Sequence, residues 1–191
     1  MTMPSRRYPG LLLAALLVVS LAPPGRAGVG SRASQDEHQV KAAFLLNFTK
    51  YVEWPATAFR GEAQITVALL GDRGTAQIAE WLEGKTAQAR PLVVRRVSRP
   101  DDIGSPHVLY VGADALPLMD GALEAVSGRP VLTITEVEDR DVTGAVINLF
   151  VREGRIAFAV NLDAAASGGL QVSSKLLSLA RTVRRDARKK G

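Results

Sequence analysis

Residues 65–84 read ITVALLGDRGTAQIAEWLEG, and this stretch decides the fold class. Ile65 to Leu70 is a short apolar run with β-branched residues, closed by Gly71-Asp72, which is the pattern of a buried strand. Gly74 to Glu83 then carries Ile78, Trp81 and Leu82 at helical spacing, and Gly84 supplies a stop. A strand thus passes into a helix through a turn of a few residues.

The same rhythm continues downstream. Leu92–Val97 (LVVRRV) predicts a second strand, followed by a loop from Pro100 through Asp101-Asp102-Ile103-Gly104. His107–Val111 predicts a third strand, Ala115–Val126 a helix ended by Ser127-Gly128, and Pro130–Thr135 a fourth strand. Alternation with short connections implies parallel strands covered by helices. The rhythm then changes. Ala145–Val151 and Arg155–Val160 are strands joined by Arg152-Glu153-Gly154, which reads as a β-hairpin. Ser173–Arg185 predicts an amphipathic closing helix through Leu176, Leu177, Ala180 and Val183, capped by Ser173 or Ser174. The expected fold is a single α/β domain over residues 36–185. It is a three-layer sandwich with a mostly parallel sheet, a C-terminal antiparallel β-hairpin and a closing helix.

Upstream, Val40–Pro55 reads VKAAFLLNFTKYVEWP. Five of the ten aromatics (Phe44, Phe48, Tyr51, Trp54, Phe59) fall between positions 44 and 59. Phe44, Phe48 and Tyr51 share one helical face, and Trp54-Pro55 stops the helix because the residue before proline avoids the α region. Ser34 and Glu37 have the spacing of a capping box. The aromatic face is expected to anchor a core, with Trp54 as the aromatic to watch for exposure.

The ends have a different character. Arg6 and Arg7 precede an eleven-residue apolar run, Leu11–Leu21, too short to span a bilayer but suited to a secretory leader. Residues 1–27 are expected to be a signal peptide, with small residues placing cleavage after Ala27 or Ala33; an N-terminal membrane anchor is the competing reading. Export places the rest in a periplasm. The formal charge of +5 comes from the two ends. Without residues 1–27 the chain holds 21 basic against 19 acidic groups, and without the last eleven residues as well, 15 against 18. A basic docking face for nucleic acid is therefore not expected, and residues 186–191 form a basic tail. The chain has no cysteine, which excludes disulfides, thiol catalysis and cysteine metal sites.

Chemistry-bearing motifs are sparse. The turn Gly71-Asp72-Arg73-Gly74 lies where an anion or nucleotide could meet a helix N-terminus. It lacks the full G-x-G-x-x-G pattern, and Arg95-Arg96 stand where a dinucleotide fold has an acid; a tight strand-to-helix turn explains it equally. His38 and His107 lie in no metal-ligand spacing, so neither a metal nor another cofactor is expected. Ser173-Ser174-Lys175 permits a serine–lysine reading, but no nucleophile elbow surrounds it, and serine is the ordinary helix cap. The acid pairs Asp101-Asp102 and Glu138-Asp139 read as solvated loops.

Two blocks together carry a resemblance. The first is VKAAFLLNFTKYVEWP. The second is GAVINLF (144–150), GRIAF (154–158), Asn161-Leu162 and GLQVSSKLLSLAR (169–181), with ITVALLG, HVLYVG and VLTIT between them. In this order, behind a leader, the chain resembles the YfiR-like family of exported bacterial proteins over about Gln39–Val183. The resemblance implies a small non-catalytic periplasmic α/β domain. It implies repression of an inner-membrane diguanylate cyclase (YfiN-like) through its periplasmic sensor part, and hence control of cyclic-di-GMP and biofilm. It also implies sequestration by an outer-membrane lipoprotein (YfiB-like) and a homodimer. The chain departs from the family in lacking cysteines, so redox gating by disulfides cannot operate in it. Ala159-Val160 stand where relatives often carry Glu-Ile.

Three functions compete. The first is a regulatory protein docking on a membrane sensor, with contacts expected at Trp54, Phe158, Asn161, Leu170, Ser174, Leu177 and Arg181. A contiguous exposed apolar patch supports it. The second is a small-ligand module at Gly71, Asp72, Arg73 and Gly74. The third is a hydrolase built on Ser173/Ser174 or loop carboxylates, which requires titratable groups to converge in one pocket.

Overall fold

The computed structural model describes residues 29–59, 61–138 and 144–185. The expected leader (1–27), the tail (186–191) and Asp139 lie outside the described residues. In chain order the elements are α1 (Val29–Tyr51), β1 (Val52–Glu53), β2 (Ile65–Leu70), α2 (Thr75–Leu82), β3 (Thr86–Ala87), β4 (Arg90–Val97) and β5 (Val108–Val111). They continue with α3 (Met119–Ala125), β6 (Leu132–Glu136), β7 (Ile147–Arg152), β8 (Arg155–Asn161), α4 (Leu162–Ser167), β9 (Gln171–Val172), α5 (Ser174–Leu179) and β10 (Thr182–Arg184).

Eight strands form one sheet in the order β10-β8-β7-β6-β5-β2-β4-β3. Pairing is parallel from β4 through β2, β5 and β6 to β7, and antiparallel in the β7–β8 and β3–β4 hairpins. The apolar run of β2 is explained by cover on both faces. Ile65, Val67 and Leu69 join the larger core, which includes residues of α1 and α2. Ala68 and Leu70 join a smaller core, which includes Ala122 of α3. The result is a three-layer sandwich with a mostly parallel sheet.

The expected hairpin is present. Its turn is Glu153-Gly154, both at positive φ (53° and 71°), the conformation that matches strand twist in a two-residue connection. The helix predicted over 115–126 divides into a 3-10 segment, Ala113–Leu118, containing Pro117, and then α3.

Two sequence expectations need correction. The closing helix predicted to reach Arg185 ends at Leu179. The backbone turns extended at Ala180, the Arg181 N–H donates to the Phe158 carbonyl at 2.9 Å, and Thr182–Arg184 add to β8 in parallel. The free edge of β8 offers backbone pairing that an amphipathic pattern in the sequence cannot reveal. Likewise Ser34 and Glu37 lie within α1, which spans Val29–Tyr51 among the described residues; Glu37 instead pairs with Lys41 one turn later at 2.7 Å.

Helix α1 ends three residues before Trp54, where Val52–Glu53 pair with β9. Its C-terminal end is met from another element: the Gln88 side-chain amide donates to Thr49 O in the last turn at 2.9 Å and to Val52 O just beyond it at 2.6 Å. Gln88 holds this position from the tight β3–β4 turn, at φ 51°. On the inner face of α1, Phe44 and Phe48 meet Phe158 of β8 with ring centroids 6.0 and 4.9 Å apart, both edge-on.

Candidate functional site

Strand β2 lies between β4 and β5, so the chain leaves it in one direction through α2 to β4 and returns on the other side to β5. In open α/β sheets the crevice at such a reversal, outside the strand carboxyl ends, is where ligands bind. Here it is bounded by Gly71–Gly74 after β2 and Gly112–Asp114 after β5. The Asp114 carboxylate accepts the backbone N–H groups of Asp72 at 2.8 Å and Arg73 at 2.9 Å. Partial burial pushes this carboxyl upward, but the N–H groups of Arg73, Asp72 and Asp114 itself outweigh it and hold the acid below its ordinary value. The turn read from sequence as an anion cradle thus has two of its backbone donors engaged by the chain's own carboxylate.

The turn is braced from both sides. Gly74 lies at φ 73°, and a Cβ there would overlap the His38 imidazole, so the glycine lets α1 close over the turn. The Thr75 hydroxyl donates to Gly71 O at 2.8 Å and accepts from Arg96 Nε at 3.1 Å. One of the two arginines that stand in place of the dinucleotide-fold acid therefore supports the first turn of α2.

A buried polar chain adjoins this crevice. The Tyr110 hydroxyl donates to Glu136 Oε1, and Lys41 Nζ donates to Glu136 Oε2 at 2.9 Å and to Glu37 Oε1 at 2.7 Å. The Lys41 and Glu136 side chains are only 13% and 9% exposed, so the pair is shielded from water. Burial works against the Lys41 charge, but Glu37 and Glu136 together raise its pKa above the ordinary value. Glu37 is lowered, first by its hydrogen bond from Lys41. Burial, followed by the negative charge of Glu136, lifts Tyr110 well above the usual phenol range. His38, Lys41, Arg73, Tyr110, Asp114 and Glu136 converge on a cavity of about 210 Å³.

The residues picked from sequence for partner contact divide. Trp54, Phe158 and Leu170 are buried. Trp54 donates its indole N–H to His107 O at 3.3 Å, and Phe158 completes the aromatic cluster with α1. Asn161 is half-buried and caps α4, its side-chain oxygen accepting from Asp163 and Ala164 N–H at 3.0 and 3.1 Å. Leu177 is half-buried against the core, whereas Ser174 and Arg181 are exposed. Ser173 is the cap of α5, accepting from Leu176 N–H at 3.3 Å. Lys175 extends over the Tyr51 ring, 5.0 Å from its centroid.

His107 is a core histidine. Its Nδ1 accepts the Thr66 N–H at 3.0 Å, and its ring stacks on Phe59 with centroids 4.8 Å apart. Among the described residues no group of three or more His, Asp or Glu is placed to hold a metal ion. Asp102 forms a surface pair with Arg99 at 3.2 Å.

Paired exposed apolar side chains lie in two places. Val40 of α1 and Val151 of β7 are 44% and 48% exposed, and both line one groove of about 520 Å³ with Phe44 and Ile156. Glu37 and Arg155 add opposite charges to its lining. A second apolar pair, Leu179 and Val183, is exposed on α5 and β10. The sequence alone assigns Val40 and Lys41 no role, because which face of α1 remains uncovered depends on where β7 and β8 lie. The charged end of the apolar strand at Glu136 was the one local sign of the polar chain.

Taken together, these features define a three-layer α/β domain with a polar crevice at its strand ends and an apolar groove beside its long helix. The chain belongs to the YfiR/HmsC-like family, whose model matches residues 38–181. Two solved structures match the chain in part. One is the ABC domain in complex with L-Trp from Streptococcus pneumonia, at 10% identity and a TM-score of 0.53, covering 77% of this chain and 60% of that one. The other is a conserved domain protein from Vibrio cholerae O1 biovar El Tor, at 12% identity and a TM-score of 0.47, covering 77% and 60%. The chain thus spans about 60% of the length of each solved protein. Among the described residues no helix is long and apolar enough to cross a membrane.

Proposed function

We propose that this chain is a periplasmic regulatory protein that docks on the periplasmic part of an inner-membrane sensor and holds a diguanylate cyclase in its inactive state. Family membership over residues 38–181 supports the regulatory reading. The observation that carries docking is the groove between α1 and the β7–β8 hairpin, where Val40 and Val151 leave apolar surface in water. Its area alone does not set affinity; a few desolvated apolar anchors do. Docking switches the sensor only through a difference in affinity for its two states. Arg181, Ser174 and the exposed part of Leu177 provide a second contact region. A YfiB-like lipoprotein would act by competing for this regulator, and a homodimer would present two grooves.

The test is cellular. Deleting the chain is expected to raise cyclic-di-GMP, and restoring the wild type to lower it. Val40→Asp and Val151→Asp, exported and folded as judged by circular dichroism of the purified proteins, are expected to leave it high. An unchanged cyclic-di-GMP level after deletion would remove the cyclase reading. Full repression by both groove variants would remove the docking surface.

A further inference from the structure

We propose that the cavity at the carboxyl ends of β5 and β6 binds a small oxyanion, a carboxylate or phosphate group, through Arg73, Lys41 and His38. The inference is independent of the docking surface and moves ligand recognition away from the backbone of the Gly71–Gly74 turn.

The uncommitted donors of the lining point to the ligand. Glu136 takes Tyr110 on one oxygen and Lys41 on the other, and Asp114 takes two backbone N–H groups on a single oxygen. Several donors are uncommitted. The Arg73 guanidinium, exposed and lining the cavity, makes no side-chain hydrogen bond among the described residues. Lys41 has three N–H bonds and directs two of them to Glu37 and Glu136. The His38 ring, held against Gly74, lines the same space. These donors suit a ligand that accepts hydrogen bonds, and a guanidinium beside an ammonium suits a planar carboxylate or a phosphate.

Lys41 and Arg73 face Asp114 and Glu136 in the lining, and Glu37, bound to Lys41 at 2.7 Å, adds a third carboxylate beside them, so an anion would be held by directed donors and not by net charge. The volume of about 210 Å³ holds roughly seven waters at about 30 Å³ each, enough for a compact anion. The location, at the reversal in strand order, is the one the fold favours for ligands.

The test uses the purified domain, isotopically labelled, titrated with sodium acetate and with inorganic phosphate at fixed ionic strength. Choline chloride serves as the cation control. Saturable shifts of the backbone amides of Arg73–Thr75 and Ala113 are expected with at least one anion and none with choline; the better anion distinguishes carboxylate from phosphate. Arg73→Gln, at an exposed position, is expected to keep the fold and to weaken that binding about tenfold, the scale of one charge-assisted hydrogen bond. Lys41→Met is expected to act in the same direction. Absence of saturation with both anions, or equal affinity in Arg73→Gln, would overturn the proposal.

Discussion

The Asp114 carboxylate accepts the backbone N–H of Arg73 at 2.9 Å, tying the loop after β5 to the loop after β2 across the reversal in strand order. Because the neighbouring N–H of Asp72 reaches the same oxygen, one acid fixes the floor of the crevice.

Asp114→Ala should therefore loosen the turn and not the core. The expected loss is about 1 kcal/mol, with faster amide exchange at Asp72 and Arg73. The sign with pH follows from the lowered acid. Its contribution is present above the ordinary carboxylate value of about 3.9 and disappears as pH falls through the still lower folded value. The difference between wild type and variant, measured by urea unfolding, should shrink on acidification. A difference that grew in acid would contradict the assignment.

Lys41 and Glu136 are 95 residues apart in sequence and share a shielded ion pair. Removing one member leaves the other's charge with fewer partners, so Lys41→Met and Glu136→Leu should each cost about 3 kcal/mol. The double variant should cost less than their sum by about 1–3 kcal/mol. Additive losses in a double-mutant cycle would show that the two groups act separately.

His107 is held neutral, with burial as the largest cause of its lowered pKa. Its Nδ1 is the acceptor for Thr66 N–H, which a protonated ring cannot be. As pH falls below about 6.5, the unfolded chain gains a proton the folded ring resists. Stability is thus full above that pH and declines until the folded value is passed. Urea midpoints at pH 7.5 and pH 5 should differ more for wild type than for His107→Gln. Equal pH dependence in the two proteins would exclude His107 as its source.

Gln88 supplies a cap that α1 cannot provide from its own sequence. Gln88→Ala should lower stability by about 1–2 kcal/mol through loss of both bonds, read as a lower melting temperature. The circular-dichroism spectrum should retain its helical content, since the apolar face of α1 remains packed. An unchanged melting temperature would mean that solvent replaces the amide at no net loss.

Much of the layer architecture was visible in the sequence because its signals are local. Ile65–Leu70 is apolar at every position for the reason that both faces of β2 are covered, and Glu153-Gly154 carries the chemistry of its own turn. The end of the chain shows the limit. Leu176, Leu177, Ala180 and Val183 keep a helical period, yet Thr182–Arg184 become a strand because the exposed edge of β8 offers partners. Trp54, Phe158 and Leu170 look alike in sequence whether they serve a core or a partner; only their neighbours show that they are buried.

The sequence by itself determined the strand–helix alternation, the hairpin, the aromatic helix face and the family, since periodicity, turn residues and ordered motifs are properties of neighbouring positions. Tertiary structure decided what the surface offers. It brought Lys41 to Glu136 and Asp114 to Arg73, left Val40 and Val151 in one groove, and placed His38 over Gly74. These relationships join segments tens of residues apart. They exist because the strand order places particular loop ends and helix faces together, a consequence of chain crossing and packing that no local pattern encodes.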